Sequence, residues 1–250
     1  MNPRYPRRGV YVLPNLFTTA SLFAGFYSII ASINGHYRVA AMVIFIAMML
    51  DGLDGRVARM THTESAFGAE YDSLADVIAF GMAPAILVFL WGLRDFGNFG
   101  WLGAFVYTAC GALRLARFNT QIHSASKRYF QGLPIPTAAA VLASLVWVAV
   151  GEGYSWLTQI SEYLALGLVY ALGLLMVSNV RFRSFKDFDL HGRVPFALAI
   201  LLVLAVALVA VHPPLVLFIA VISYVVIGLL QTLWQIRSRR IQRQRGGSGH

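Results

Sequence analysis

Eight long apolar runs alternate with short polar stretches along this chain, and each run is long enough to predict a transmembrane helix. The first, Leu16 to Ile33, ends at the turn tripeptide Asn34-Gly35-His36. The second begins at Tyr37 and passes Leu50 into an acidic stretch. The third carries Asp72 and Asp76 at its start, contains Pro84 and ends near Trp91, ahead of Arg94-Asp95-Phe96-Gly97. Trp101 to Phe118 is the fourth. A polar loop from Asn119 to Leu133 leads into the fifth, Pro134 to Val150, and the sixth follows from Thr158 to Ser178. A second polar loop, Asn179 to Val194, precedes Pro195 to Val211, and His212-Pro213-Pro214 turns the chain into the last run, Leu215 to Ile236. No internal repeat is visible. The pattern predicts an all-α integral membrane protein of about eight transmembrane helices.

Composition agrees: 58% of the 250 residues are hydrophobic, against roughly 45–50% in a soluble domain. No polar stretch is long enough for a second, soluble domain. The expected organisation is an interfacial segment over 1–13, a membrane core over 14–178, a loop with two further helices over 179–236 and a basic tail over 237–250. Arg7 and Arg8 precede the first run as they would in a signal peptide, but no small-x-small cleavage site occurs before Asn34, so the run reads as a retained span. The last five residues, Gly246 to His250, read as a linker remnant.

The net charge of +9 changes the picture through its distribution. Eighteen of the 20 lysines and arginines fall on one side of an eight-span topology, and only Arg38 and Arg94 fall on the other. Positive residues collect on the cytoplasmic side, so both termini and the acidic stretch are expected there, N-in and C-in. Clusters of this kind suit anionic lipid headgroups rather than nucleic acid. Trp101, Trp156 and Tyr163, near span ends, read as interfacial belt. Cys110 is the one cysteine and makes no disulfide within the chain.

The candidate chemistry lies between Asp51 and Asp76. Four carboxylates, Asp51, Asp54, Asp72 and Asp76, occur in a chain of which only 12% is charged, with apolar flanks. On helices, Asp51 and Asp54 project about 60° apart and Asp72 and Asp76 about 40° apart, so each pair shares a face. A turn between Arg59 and Gly68 lets the two helices run antiparallel and the faces meet. Gly55 and Ala58 share the Asp51 stripe and Gly68 stands one turn before Asp72, so backbone and ligand can approach closely. Four ionised carboxylates in one pocket need compensation. Two divalent cations would supply it, and all-oxygen ligands favour Mg²⁺ or Mn²⁺, then Ca²⁺, over zinc. Such pairs clamp phosphate oxygens.

These residues resemble the signature of the CDP-alcohol phosphotransferase family, whose eight fixed positions are all present: Asp51, Asp54, Gly55, Ala58, Arg59, Gly68, Asp72 and Asp76. The resemblance covers the first six spans, which look like the family's six-helix core. It implies transfer of a phosphatidyl group from a CDP-linked lipid to an alcohol, with release of CMP, at a membrane cavity open to the cytoplasm, in a protein commonly homodimeric. By position, Asp51, Asp54, Asp72 and Asp76 would hold the metals, with Asp76 also the general base. The CDP-lipid would be bound by Asn15, Thr18, Asp54, Gly55, Ala58, Arg59, Gly68 and Asp72.

Arg114 to Asn119, Phe130 to Pro136 and Arg183 to Lys186 are similar to the phosphatidylserine synthase branch, which implies CDP-diacylglycerol and L-serine as substrates and serine binding by Arg114, Arg117, Asn119 and Lys186. A guanidinium would take the carboxylate in a bidentate pair. Glycerol 3-phosphate or inositol phosphate as acceptor would demand a denser basic pocket. A divalent-cation transporter is the alternative outside the enzyme class, but these acids gather at one membrane face rather than at the midplane.

Overall fold

The computed structural model describes residues 12–61, 63, 65–121, 129–151, 155–183, 208 and 211–246. Seven long helical segments make up most of them: α1 (Val12–Ile33), α2 (Tyr37–Thr61), α3 (Ala66–Phe96), α4 (Asn98–Gln121), α5 (Ile135–Gly151), α6 (Ser155–Val177) and α7 (Pro213–Gly246). Five of them, α1, α3, α4, α6 and α7, are long and apolar enough to cross a membrane, and α5 is apolar but shorter. The protein is thus an integral membrane protein. The expected seventh span, Pro195 to Val211, lies almost wholly outside the described residues, as does most of the 1–13 segment.

The structure differs from expectation at several boundaries. The third helix starts at Ala66 and reaches Phe96, because Pro84 sits in a stretch flanked by wider turns that absorb it. The helix of the fourth span continues to Gln121, into the polar loop. The last one continues through the arginine run to Gly246. The fold is also not purely helical: Tyr129–Gln131 (β1) pairs antiparallel with Arg181–Arg183 (β2), joining the two polar loops in a short ribbon. Gly132 ends β1 at φ 80°, and its N–H donates to the Val180 carbonyl at 2.9 Å.

Small residues set how closely the helices pack. Ser21, Ala24, Ser28, Ala31 and Ser32 recur at helical spacing on α1 and are buried, while Phe23, Phe26 and Ile30 face outward. Ser28 Oγ donates to the Ala40 carbonyl at 2.9 Å and Ser21 Oγ to that of Ala47 at 3.0 Å. The two contacts step seven residues back along α1 and seven forward along α2, the register of an antiparallel pair. Such small-residue seams let membrane helices approach where burial from lipid gives little driving force. A Cβ on Gly25 would lie 2.5 Å from the Ala79 Cα, so α1 also meets α3 backbone to backbone. Helix α5, buried from Ala138 to Val146, is the centre around which α2, α3, α6 and α7 pack.

Helix α3 widens into π turns at Val77–Met82 and Phe89–Leu93. Wide turns leave carbonyls that need partners in a membrane. Tyr107 donates to the Phe80 carbonyl at 3.1 Å, Thr108 to that of Gly81 at 3.4 Å, and Tyr37 to that of Leu90 at 3.0 Å. The first wide turn begins directly after Asp76, so these bonds from α4 also fix where the helix presents that carboxylate. Tyr107→Phe is expected to lower stability by about 1–2 kcal/mol, since it strands a buried carbonyl. The thermal unfolding midpoint in detergent measures it; an unchanged midpoint would show that the wide turn needs no outside donor.

Candidate active site

The site forms where the C-terminal half of α2 meets the first turns of α3. Ser65 caps α3 by accepting from the Gly68 N–H at 3.0 Å, which fixes the helix start one turn ahead of Asp72. One carboxylate oxygen each from Asp51, Asp72 and Asp76 then falls within 4.8 Å of the others. Asp54, one turn beyond Asp51 and only 6% exposed, is electrostatically linked to Asp51 and Asp72, and accepts a 2.9 Å hydrogen bond from Thr18 of α1. Three of the four expected carboxylates form the tight group, and Thr18 holds the fourth beside it.

Helix α1 forms a wall of the site. A Cβ on Gly68 would lie 3.1 Å from Ser65 Oγ and 3.5 Å from Asn15 Oδ1, so Asn15 stands over the start of α3. Thr19 shares a 2.9 Å hydrogen bond with the Tyr71 hydroxyl. At Gly52 nothing lies within 4 Å of an added Cβ, and at Gly55 only Arg59 Nη2 does, at 4.0 Å. That face of α2 is open space beside the carboxylates. Ala58 is half-buried, and the Arg59 Nε folds back to the Gly55 carbonyl at 2.7 Å.

The acidic group suits a divalent cation. Its donors are hard carboxylate oxygens from two helices, and the buried Asp72 Oδ1 has no hydrogen-bond partner among the described residues. An unpartnered buried carboxylate oxygen is costly, and cation coordination relieves both the missing partner and the crowding of negative charge.

The residues expected to bind the acceptor fall in different places. Arg114 is buried, 8% exposed, its Nε has no hydrogen-bond partner among the described residues, and the Asp76 charge acts on it. Arg117 points elsewhere, donating from Nη1 to the Val177 carbonyl at 3.4 Å and from Nη2 to Asn179 at 2.8 Å, at the end of α6. Asn119 reaches α3, donating to Glu70 at 3.2 Å and to Ser73 at 3.1 Å. Lys186 lies outside the described residues. Tyr224 of α7 is half-buried against the core, and its phenol and the Arg114 charge influence each other.

The family model of CDP-alcohol phosphatidyltransferase matches residues 11–171, and this match contains every carboxylate of the site. The chain belongs to the CDP-alcohol phosphatidyltransferase family. A Helicobacter pylori (strain J99) relative named CDP-diacylglycerol–serine O-phosphatidyltransferase is 39% identical over 229 residues, 92% of this chain and 94% of the relative. A Mycobacterium tuberculosis (strain H37Rv) protein of the same name is 31% identical over 225 residues, 87% of this chain and 78% of the relative. An archaetidylserine synthase from Methanothermobacter thermautotrophicus is 36% identical over 173 residues, 68% of this chain and 69% of the relative. CDP-alcohol phosphatidyltransferases use divalent metals, and Asp51, Asp72 and Asp76 are the acidic cluster of this member. The family match covers α1 to α5 and most of α6; α7, with Tyr224, lies beyond it.

Proposed function

We propose that this protein transfers the phosphatidyl group of CDP-diacylglycerol to the hydroxyl of L-serine, giving phosphatidylserine and CMP. The observation that carries the reading is the Asp51, Asp72 and Asp76 group, with its unpartnered buried oxygen, next to the open face at Gly55. The names of the relatives support the donor and the acceptor. The alternation of lysine and arginine along the chain supports an active site facing the cytoplasm of a cell membrane.

Asp51, Asp54, Asp72 and Asp76 would hold two divalent cations, Mg²⁺ or Mn²⁺ ahead of Ca²⁺, which when bound draw charge from the diphosphate oxygens. The chain's own residues do the rest. The open face at Gly52 and Gly55 admits the cytidine and ribose, with Asn15, Ala58, Arg59 and Gly68 around it. Thr18 keeps the Asp54 carboxylate oriented. The serine hydroxyl oxygen attacks the phosphorus that bears the diacylglycerol, and its proton passes to Asp76. The bond from that phosphorus to the bridging oxygen breaks, and CMP leaves with the electron pair. A carboxylate in reach of the proton offsets the weak nucleophilicity of an alcohol. Arg114, on which the Asp76 charge acts, is the guanidinium proposed for the serine carboxylate, because Arg117 is engaged at the end of α6.

The test is CMP release by the purified protein in detergent with CDP-diacylglycerol and Mg²⁺ or Mn²⁺, with L-serine, glycerol 3-phosphate, inositol phosphate or no acceptor. Release is expected with L-serine alone and is expected to stop with chelator. Release with another of these acceptors would overturn the choice of acceptor, and release without any would overturn transfer to an alcohol.

A further inference from the structure

We propose that Asn119, on α4, and Tyr71, on α3, are positioning residues of the carboxylate site: their hydrogen bonds fix the rotation of α3 about its own axis, and with it the aim of Asp72 and Asp76 at a divalent cation. The proposal rests on the reading of these carboxylates as cation ligands, and it gives Asn119 a place other than the serine site that the sequence suggested.

Packing does little to lock the segment that carries both ligands. Of the eleven residues from Ala66 to Asp76, only Ala75 is buried among the described residues, while Phe67 and Leu74 are 70% and 66% exposed. Tight packing begins past Asp76, in the wide turn, where Ala79, Phe80 and Gly81 are buried. The Ser65 cap sets where the helix starts, not which way it faces. A carboxylate oxygen roughly 5 Å from a helix axis moves about 1 Å when the helix turns by about 10°. Metal–oxygen distances tolerate only about 0.2 Å. The rotation must therefore be held by something other than packing.

Hydrogen bonds on both flanks of Asp72 do this. Tyr71 and Ser73 project about 100° to either side of it. On one side the Tyr71 hydroxyl lies 2.9 Å from Thr19 Oγ1 of α1. Thr19 gives its own hydrogen to the Asn15 carbonyl at 2.7 Å, so Tyr71 is the donor. The Tyr71 ring is itself stacked on Phe67, with centroids 6.0 Å apart. On the other side the Asn119 amide nitrogen donates to Ser73 Oγ at 3.1 Å and to Glu70 at 3.2 Å, one hydrogen to each. Ser73 sends its hydrogen to the Ala69 carbonyl at 3.0 Å rather than to Asn119 Oδ1 at 3.4 Å, which leaves its oxygen to accept. One restraint comes from α1 and the other from α4, so a turn of α3 in either direction spoils the geometry of at least one. Partners that orient the ligands of a metal, without touching it, set its affinity in this way.

The experiment titrates Mn²⁺ into the full-length protein in detergent without either substrate, followed by calorimetry, and measures CMP release at saturating Mn²⁺ beside it. Asn119→Leu and Tyr71→Phe are each expected to weaken Mn²⁺ binding about five- to tenfold, with KM for L-serine at saturating Mn²⁺ changed less than about twofold. Exchanging donor and acceptor gives a readout that lost packing cannot imitate. Asn119→Asp sets a second carboxylate against Glu70 and is expected to weaken Mn²⁺ binding, although the added negative charge by itself favours a cation. Adding Glu70→Gln again faces a donor with an acceptor, at the wild-type net charge, and is expected to return the affinity to within about twofold of wild type. Affinity is read from the folded molecules, so a partly unstable variant still reports. Wild-type affinity in Asn119→Leu or Tyr71→Phe, no recovery in the double variant, or a higher serine KM at unchanged Mn²⁺ affinity would each overturn the proposal. A wild-type protein that binds no Mn²⁺ would instead overturn the reading of the carboxylates as ligands on which it stands.

Discussion

Replacing Asp76 by asparagine is expected to reduce CMP release about 10³-fold, within the range a general base contributes, while CDP-diacylglycerol binding changes less than about threefold. Asparagine has nearly the same shape and keeps an oxygen that can face a cation, but its amide cannot take the hydroxyl proton. Asp76 differs from its neighbours in position: it is deepest along α3, directly before the wide turn that Tyr107 secures, and its charge acts on Arg114. Asp72, whose Oδ1 is buried and unpartnered, is the better candidate for a pure ligand. Asp72→Asn is accordingly expected to weaken donor binding as well as turnover. Donor binding measured directly by titration with CDP-diacylglycerol, beside CMP release, separates the two. Equal loss of binding and turnover in Asp76→Asn would remove the base assignment and leave Asp76 a ligand like the others.

The helices and the meeting of the carboxylates were legible because both follow from periodicity. The spacings 51/54 and 72/76 place each pair on one face whatever else the chain does, and the short polar stretch after Arg59 makes α2 and α3 neighbours. The difference between Asp54 and the other three was not legible, since it depends on Thr18, 36 positions away, reaching across from α1. Nor could spacing separate Arg114 from Arg117. They stand three residues apart on one helix, and only the arrival of the α6 end next to Arg117 decides that its guanidinium is occupied there. The β1–β2 ribbon was missed for a related reason: two short polar loops far apart in sequence carry no alternation strong enough to announce pairing. The wide turns of α3 have no periodic signal either, because their carbonyls are satisfied by hydroxyls from α4 and α2.

Arg114→Lys is expected to lower kcat/KM for L-serine about 100-fold, most of it in KM, with KM for CDP-diacylglycerol little changed. The substitution keeps the positive charge, so an arginine present only to set membrane topology would tolerate it. What lysine lacks is the planar fork: it offers a point charge on a flexible stem where a carboxylate can be bound along an edge. The burial of Arg114 sharpens the contrast. In water a lysine could recover part of the interaction through solvent, but this side chain is 8% exposed, and its Nε finds no hydrogen-bond partner among the described residues. Shortening the reach by one group also draws the charge away from the Asp76 side of the pocket, so serine would lose orientation as well as affinity, and a loss of orientation appears in kcat. Steady-state kinetics with each substrate varied in turn measures both effects. A lysine variant with wild-type KM for L-serine would return Arg114 to a topological role and leave the acceptor's carboxylate to be bound by another group.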